Sequence, residues 1–212
     1  IQAATADLNA ILDKVLLLAQ ADLGKLPCQP EPLEIVGFCR DQIEAMQLST
    51  DQHQIEFAAP PDPCLIALDP NLLRQILTNL LSNAIKYSPA GGQILLRLVC
   101  QIARIELQVQ DWGIGILPAD QTQLFERFHR GQNVEEIPGT GLGLAIVKQC
   151  VDLHQGQIQI QSQPQQGTTV FVTLPNQVTL PNQVTLPNQA PSQPAQEMLG
   201  QPEITQPDKV EE

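Results

Sequence analysis

The sequence predicts a two-layer α/β sandwich, with helices on one face of a mixed sheet, and three observations carry that expectation. Segments such as Gln93–Cys100 and Ala103–Gln110 alternate apolar and polar residues, the period of strands with one buried face. Between the strands lie segments with apolar residues three and four apart, most clearly Leu73, Ile76, Leu77, Leu80, Leu81 and Ala84. The chain of 212 residues is long enough for one well-buried domain with appendages.

Along the chain, Ala4, Leu8, Ile11, Val15 and Leu18 are spaced 4-3-4-3, the seam of a helix that packs on partner helices, and Gly24 supplies its stop. Residues 25–31, with Pro27 and Pro30, read as a linker. Pro32 then sits at a helix start, predicting a helix to about Leu48. Gln54–Ala58 and Cys64–Leu68 read as short strands around the turn Pro60-Pro61-Asp62-Pro63. Asp69-Pro70 is an N-cap followed by proline at the first helical position, and it opens the helix of the Leu73–Ala84 stripe. The two alternating strands follow, then a short helix within Pro118–Phe128, a helix over Gly141–Leu153, and final strands Gln157–Gln163 and Thr168–Leu174.

Near Pro175 the composition shifts. Val172–Gln177, Val178–Gln183 and Val184–Gln189 are tandem copies of VTLPNQ, the first doubling as the end of a strand. Residues 176–212 hold no aromatic residue, six of the 18 prolines and a charge of 1 minus 5, or −4. Such a segment cannot bury enough apolar surface to offset its ordering entropy, so a disordered tail is expected. A β-helix is disfavoured, because each repeat carries a proline that cannot donate to a ladder. The expected organisation is therefore 1–24 bundle helix, 25–31 linker, 32–175 domain and 176–212 tail.

Charge and cysteines narrow the function. Eleven basic against 23 acidic residues give −12, which disfavours nucleic acid and other polyanions as partners of a broad basic face. Five cysteines without a CxxC pair argue against a disulfide framework and a zinc ribbon, and fit a reducing, cytoplasmic setting. No apolar run approaches the roughly 18 residues of a membrane span, although the chain opens on Ile1 and spans upstream remain open.

Four segments carry candidate chemistry. Asn79, Asn83 and Lys86 stand at i, i+4 and i+7, placing two carboxamides and an ammonium along one helix stripe, with Tyr87 next. Asparagine is a poor helix-interior residue, and a carboxamide oxygen is a hard ligand suited to Mg²⁺ shared with phosphates; the solvated side of an amphipathic helix would explain the same residues. Asp111-Trp112-Gly113-Ile114-Gly115 follows a strand, where the carboxylate can accept from an exocyclic amine, or form an ordinary acidic turn. Gly139-Thr140-Gly141-Leu142-Gly143-Leu144 leads into a helix whose amides can receive an anion. It is neither a P-loop nor a Rossmann fingerprint. Between the glycine runs, Leu124–Arg130 has the character of a lid, with Phe125 and Phe128 to seat it and arginines to reach a polyphosphate.

In this order the segments resemble the ATP-binding catalytic domain of sensor histidine kinases, within the superfamily shared with type II topoisomerases and a heat-shock chaperone. The resemblance covers about residues 1–175 and implies a Bergerat-type ATP-binding fold. Asn79–Tyr87 resembles the family's N box, Asp111–Gly115 its first glycine box, Phe125–Phe128 its F box and Gly139–Leu144 its second glycine box. By that resemblance the cofactors are ATP and Mg²⁺. Asn83 would hold the metal with Asn79 beside it, Lys86 and Arg130 would meet phosphate oxygens, and Tyr87 would flank the nucleotide. Asp111 would bind the adenine amine with support from Thr169. Gly113, Gly115, Gly139, Thr140, Gly141, Leu142, Gly143 and Leu144 would shape the binding loops.

Two departures sharpen the reading. Hydrolysing members of the superfamily have glutamate where this chain has Asn79, and a carboxamide cannot activate water as a base, which favours kinase over ATPase. The family's acidic-flanked phosphoacceptor box has no match, and none of His53, His129 and His154 is expected to replace it. His53 resembles a polar strand start, His129 belongs to the lid, and His154 ends a helix as a cation favoured there. The resemblance thus implies a γ-phosphoryl transfer to a histidine outside the chain, on a helical hairpin upstream or in trans within a homodimer, and then to a response regulator. A nucleotide-binding regulatory module and a superfamily ATPase are the alternatives.

Overall fold

The computed structural model describes residues 2–134 and 137–177, with the side chains of Leu8 and of every described residue from Ile11 onward. The elements in order are α1 (Gln2–Asp22), β1 (Glu31–Glu34), α2 (Ile35–Gln47), β2 (His53–Ala58), β3 (Leu65–Leu68), α3 (Pro70–Lys86), β4 (Gly92–Cys100), β5 (Arg104–Asp111), α4 (Gly143–Leu153), β6 (Gln157–Gln163) and β7 (Gly167–Pro175). Five strands form one sheet in the order β2-β4-β5-β7-β6, with β2 and β4 parallel and the other pairs antiparallel. Helices α2, α3 and α4 pack side by side on this sheet. The mixed two-layer sandwich is thus the observed architecture.

Strand parity builds the core. Ile94, Leu96 and Leu98 of β4, Ile105, Leu107 and Val109 of β5, and Val170, Val172 and Leu174 of β7 are all buried, while the residues between them are more exposed. Against them α3 turns Leu73, Ile76, Leu77 and Leu81, all fully buried. Asp69 caps α3 as expected: its Oδ1 accepts from Asn71 N at 2.9 Å and Leu72 N at 3.1 Å, and Oδ2 from Gln29 N at 2.8 Å. A cap of this kind contributes on the order of 1 kcal/mol.

Three local expectations are corrected. Residues 31–34 are not helical: they form β1, which pairs antiparallel with β3, and Glu34 caps α2 by accepting from Val36 N and Gly37 N. The two strands expected around the triple-proline turn are present, and they pair elsewhere, β2 with β4 and β3 with β1. Within Pro118–Phe128 only Gln121–Gln123 makes a single 3₁₀ turn. The segment has no apolar stripe with which a longer helix could dock. The cysteines also depart from expectation: Cys64, just before β3, is disulfide-bonded to Cys100 at the end of β4, and this ties the small sheet to the large one. Their separation of 36 residues carries no sequence signal.

The first VTLPNQ copy is built into the domain beyond its strand. Asn176 N donates to Ala103 O, its Nδ2 to Ile102 O, and its Oδ1 accepts from Ala67 N. Gln177 N donates to Ala67 O and its Nε2 to His154 O. The domain therefore extends two residues past the expected boundary at Pro175; the remaining tail expectation, residues 178–212, lies outside the described residues. Truncation after Gln177 should leave the melting temperature unchanged, whereas truncation after Pro175 should lower it by several degrees, since each net hydrogen bond contributes about 0.5–1.5 kcal/mol. Thermal melts of the two truncations compare them directly.

Candidate functional site

A cavity of about 320 Å³, within the range of small-ligand sites, opens between α3, the C-terminal end of β5 and the loop that leads into α4. It brings together most of the residues singled out by sequence: Asn79, Asn83, Lys86, Tyr87, Asp111, Gly115, Arg130, Gly139, Thr140, Gly141, Gly143 and Leu144 all line it. Three of the expected contacts do not. Gly113 lies behind Asp111, Leu142 is fully buried in the core, and Thr169 is replaced at the site by Thr168. Lys14, Ser82, Ile116 and Asn133 also line the cavity without having been singled out.

Asp111 reaches the cavity by strand parity, as the next inward position after Ile105, Leu107 and Val109. It is 8% exposed, and its Oδ1 accepts from Gly113 N at 2.9 Å and Thr168 N at 3.2 Å. Burial pushes its carboxyl above the usual range, opposed by those two amides. The Ser88 hydroxyl, buried beside it without a well-formed hydrogen bond, adds a smaller pull toward the charged form. Neither amide touches Oδ2, which leaves an acceptor for a ligand.

The same parity explains Thr168. It pairs with Asp111 in the β5–β7 register and shares a face with Val170 and Val172, and Ser162 Oγ lies 2.9 Å from its hydroxyl. Thr169 pairs with Gln110 on the opposite face. Counting in twos from Val170 would have separated them.

Helix α3 presents the polar stripe. Asn79 is 7% exposed, and its Nδ2 donates to Gln75 O at 2.8 Å, which fixes the carboxamide. A Cβ at Gly143 would stand 3.3 Å from Asn79 Oδ1, so that oxygen meets the start of α4. Asn83 is half-buried, and its carboxamide hydrogen-bonds to no described residue. Lys86 Nζ donates to Tyr87 Oη at 2.9 Å and stands over the Tyr87 ring at 4.5 Å. It also occupies the space a Cβ at Gly139 would need.

The loop between Ile116 and Gly143 closes the cavity. Gly141 has φ +70° and lies against the backbone of Phe128 and His129, so a side chain there would be both strained and blocked. Phe128 N donates to Gly141 O at 3.1 Å, but Phe128 is 65% exposed and does not seat the loop as expected; Phe125 is half-buried, and neither aromatic lines the cavity. Arg130 braces the loop by donating to Val134 O and Ile137 O. Arg127 turns away from the cavity and binds Asp22 of α1 at 2.5 and 2.6 Å. Helix α4 begins at Gly143 with no side-chain cap, leaving its first amides for an anion.

The histidines divide by environment. His53 bridges Thr50 Oγ1 and Ser88 O, each at 2.8 Å, and supports β2. His154 is not an exposed helix-end cation: it is fully buried, accepts from Asp69 N at its Nε2 and so donates from Nδ1 to Cys150 O. Burial lowers its pKa, which favours this neutral form. His129 lines the cavity with Nε2 3.7 Å from Asp120 Oδ1, beyond hydrogen-bond range.

Among the described lining residues are three cations, Lys14, Lys86 and Arg130, and one carboxylate, Asp111, on a protein that is acidic as a whole. No group of three His, Cys, Asp or Glu that could hold a metal occurs among the described residues. The donor set at Asn83 instead suits a hard cation that keeps waters and shares phosphate oxygens. No described helix is long and apolar enough to cross a membrane.

Residues 68–178 match the family described as histidine kinase-, DNA gyrase B-, and HSP90-like ATPase. The circadian input-output histidine kinase CikA of Synechococcus elongatus is 36% identical over 173 residues, 79% of this chain and 23% of that protein. Among solved structures, the mycobacterial sensor histidine kinase MprB is 33% identical with TM-score 0.61, over 68% of this chain and 97% of that one. Full-length ShkA in complex with AMPPNP is 30% identical with TM-score 0.68, over 79% of this chain and 35% of that one. The chain spans less than half the length of the curated relatives it matches. With the asparagine stripe and both glycine segments converging on one cavity in this sandwich, the chain belongs to the histidine kinase-, DNA gyrase B- and HSP90-like ATPase family, whose domain binds ATP.

Proposed function

We propose that the chain is the catalytic ATP-binding part of a two-component sensor histidine kinase, passing the γ-phosphoryl of Mg·ATP to a histidine outside these residues and then to a response regulator. The observation that carries this reading is the polar stripe of α3: Asn79, tied to Gln75 O, has no basic oxygen to deprotonate water, and Asp111, at the base end, is the one carboxylate among the described lining residues. The sensor-kinase relatives support the same class.

In this reading Asp111 Oδ2 accepts the adenine amine, while Oδ1 stays fixed by the amides of Gly113 and Thr168. Lys86, Arg130 and the uncapped start of α4 hold phosphate oxygens. Asn83 is the protein ligand to Mg²⁺, which when bound neutralises charge on the phosphates. Positioning and charge neutralisation do most of the work in such transfers. Leu8, Leu12 and Leu16 of α1 are each more than half exposed, an apolar stripe suited to a partner helix of a dimerising hairpin. Leu18, by contrast, is buried in the domain core rather than in that seam. A cytoplasmic location goes with this reading, since Mg·ATP is available there.

The test is to incubate the chain with γ-labelled ATP and a separately supplied histidine-bearing hairpin dimer. Acid-labile, alkali-stable label on the hairpin is the expected result, with none on the chain alone. Release of free phosphate would make the protein an ATPase, and binding without either product a regulatory module.

A further inference from the structure

Helix α1 lies outside the sandwich, yet it reaches the cavity. Lys14 lines that cavity together with Asn79, Asn83, Lys86 and Gly143. The residue is half-buried, and its ammonium has no hydrogen bond or ion pair with any described residue. An ammonium has three donors and no acceptor, so an anion in the cavity is the partner its chemistry suits.

The placement of Lys14 is fixed by its own helix face. Lys14, Leu18 and Asp22 stand at i, i+4 and i+8, one above the next. Leu18 is 3% exposed within the domain core, and Asp22 takes both guanidinium nitrogens of Arg127 from the loop that closes the cavity. The Arg127 hydrogen bonds hold the Asp22 carboxyl below the usual range. One stripe of α1 thus delivers a cation to the cavity, an apolar anchor to the core and an acid to the loop.

We propose that Lys14 is a phosphate-contacting residue of the nucleotide site, so that bound ATP draws α1 onto the ATP-binding domain. This rests on the reading of the cavity as an ATP site. Asp111 takes the base from the sheet, whereas α1 packs on α4, whose first residue adjoins Asn79; Lys14 therefore meets the terminal phosphates. Coupling is reciprocal: whatever factor Lys14 adds to ATP affinity, ATP returns as stabilisation of the docked helix. A helix of the phosphoacceptor bundle would then report the nucleotide state directly.

Calorimetry of Mg·ATP and Mg·ADP on the full 212-residue chain tests this, with amide hydrogen exchange across residues 14–22 as a second readout. Lys14→Ala should weaken ATP binding roughly tenfold and ADP binding less, as for a charge-assisted contact, and Lys14→Arg should retain most of it. ATP should slow exchange in α1 of the parent chain and of Lys14→Arg, but not of Lys14→Ala. The proposal fails if Lys14→Ala binds ATP within about threefold of the parent, or if ATP leaves α1 exchange unchanged in the parent. Asp111→Asn separates the two levels: loss of ATP binding there with none in Lys14→Ala overturns only the Lys14 assignment. A parent chain that binds no ATP overturns both.

Discussion

Asp111→Asn is expected to weaken ATP binding by roughly tenfold or more while leaving the melting temperature unchanged or slightly higher, because one buried group serves the ligand and the fold differently. In the parent, Oδ1 is held by the amides of Gly113 and Thr168, and Oδ2 is the acceptor left for the base. An asparagine can keep both amides on its one oxygen. Its Nδ2 then stands where Oδ2 was, a donor facing the donor amine of adenine, and a buried unmade hydrogen bond costs about 1–3 kcal/mol. GTP, with a carbonyl in place of that amine, should bind the parent less well than ATP and discriminate less against the variant.

The fold responds in the other direction. Burial raises the Asp111 carboxyl above its unfolded value, so its favourable contribution to stability is present below the unfolded value of 3.8 and is lost as pH rises through the folded one. At neutral pH the ionised carboxylate therefore costs stability, and the neutral amide relieves it. The same raised value means that ATP affinity should fall on acidification at a pH above that of an exposed aspartate, and that this acid arm should vanish in the variant. Calorimetry with ATP and GTP across pH, together with melts, measures all three effects. An affinity for ATP within about threefold of the parent would remove Asp111 from base recognition.

Asn83→Ala should abolish Mg²⁺-dependent phosphoryl transfer to a supplied hairpin, a loss of at least about a hundredfold, while leaving the fold intact. Its carboxamide lines the cavity and hydrogen-bonds to no described residue, so its removal breaks no hydrogen bond among them. Asn79→Ala behaves differently, because that side chain is buried and bonded to Gln75 O. It should lower transfer partially, at unchanged Mg²⁺ requirement, with no gain in hydrolysis. Label transfer titrated with Mg²⁺ distinguishes the two asparagines. Transfer by Asn83→Ala that responds normally to Mg²⁺ would assign the metal to other ligands.

Local periodicity and local chemistry made much of this protein legible from sequence. The α3 stripe with its Asp69-Pro70 start, the alternation of β4 and β5 and the order of the four motifs each depend on residues within a few positions of one another, where the periods of 3.6 and 2 act directly. Those elements then carry Asn79, Asn83, Lys86 and Asp111 to one cavity. What the tertiary structure decided depends on partners distant in the chain. The pairing of β1 with β3 turned a proline that suits a helix start into part of a strand, because the ladder outweighed a weak local preference. Register across β5 and β7 set Thr168, rather than Thr169, beside Asp111. Close approach of two strand ends joined Cys64 to Cys100, and burial under the Asp69 amide made His154 a neutral acceptor rather than a cation. The docking of α1 alone brought Lys14 to the cavity and Asp22 to Arg127, 105 residues away. No spacing encodes such contacts, since they arise only when separately formed elements bury their faces together.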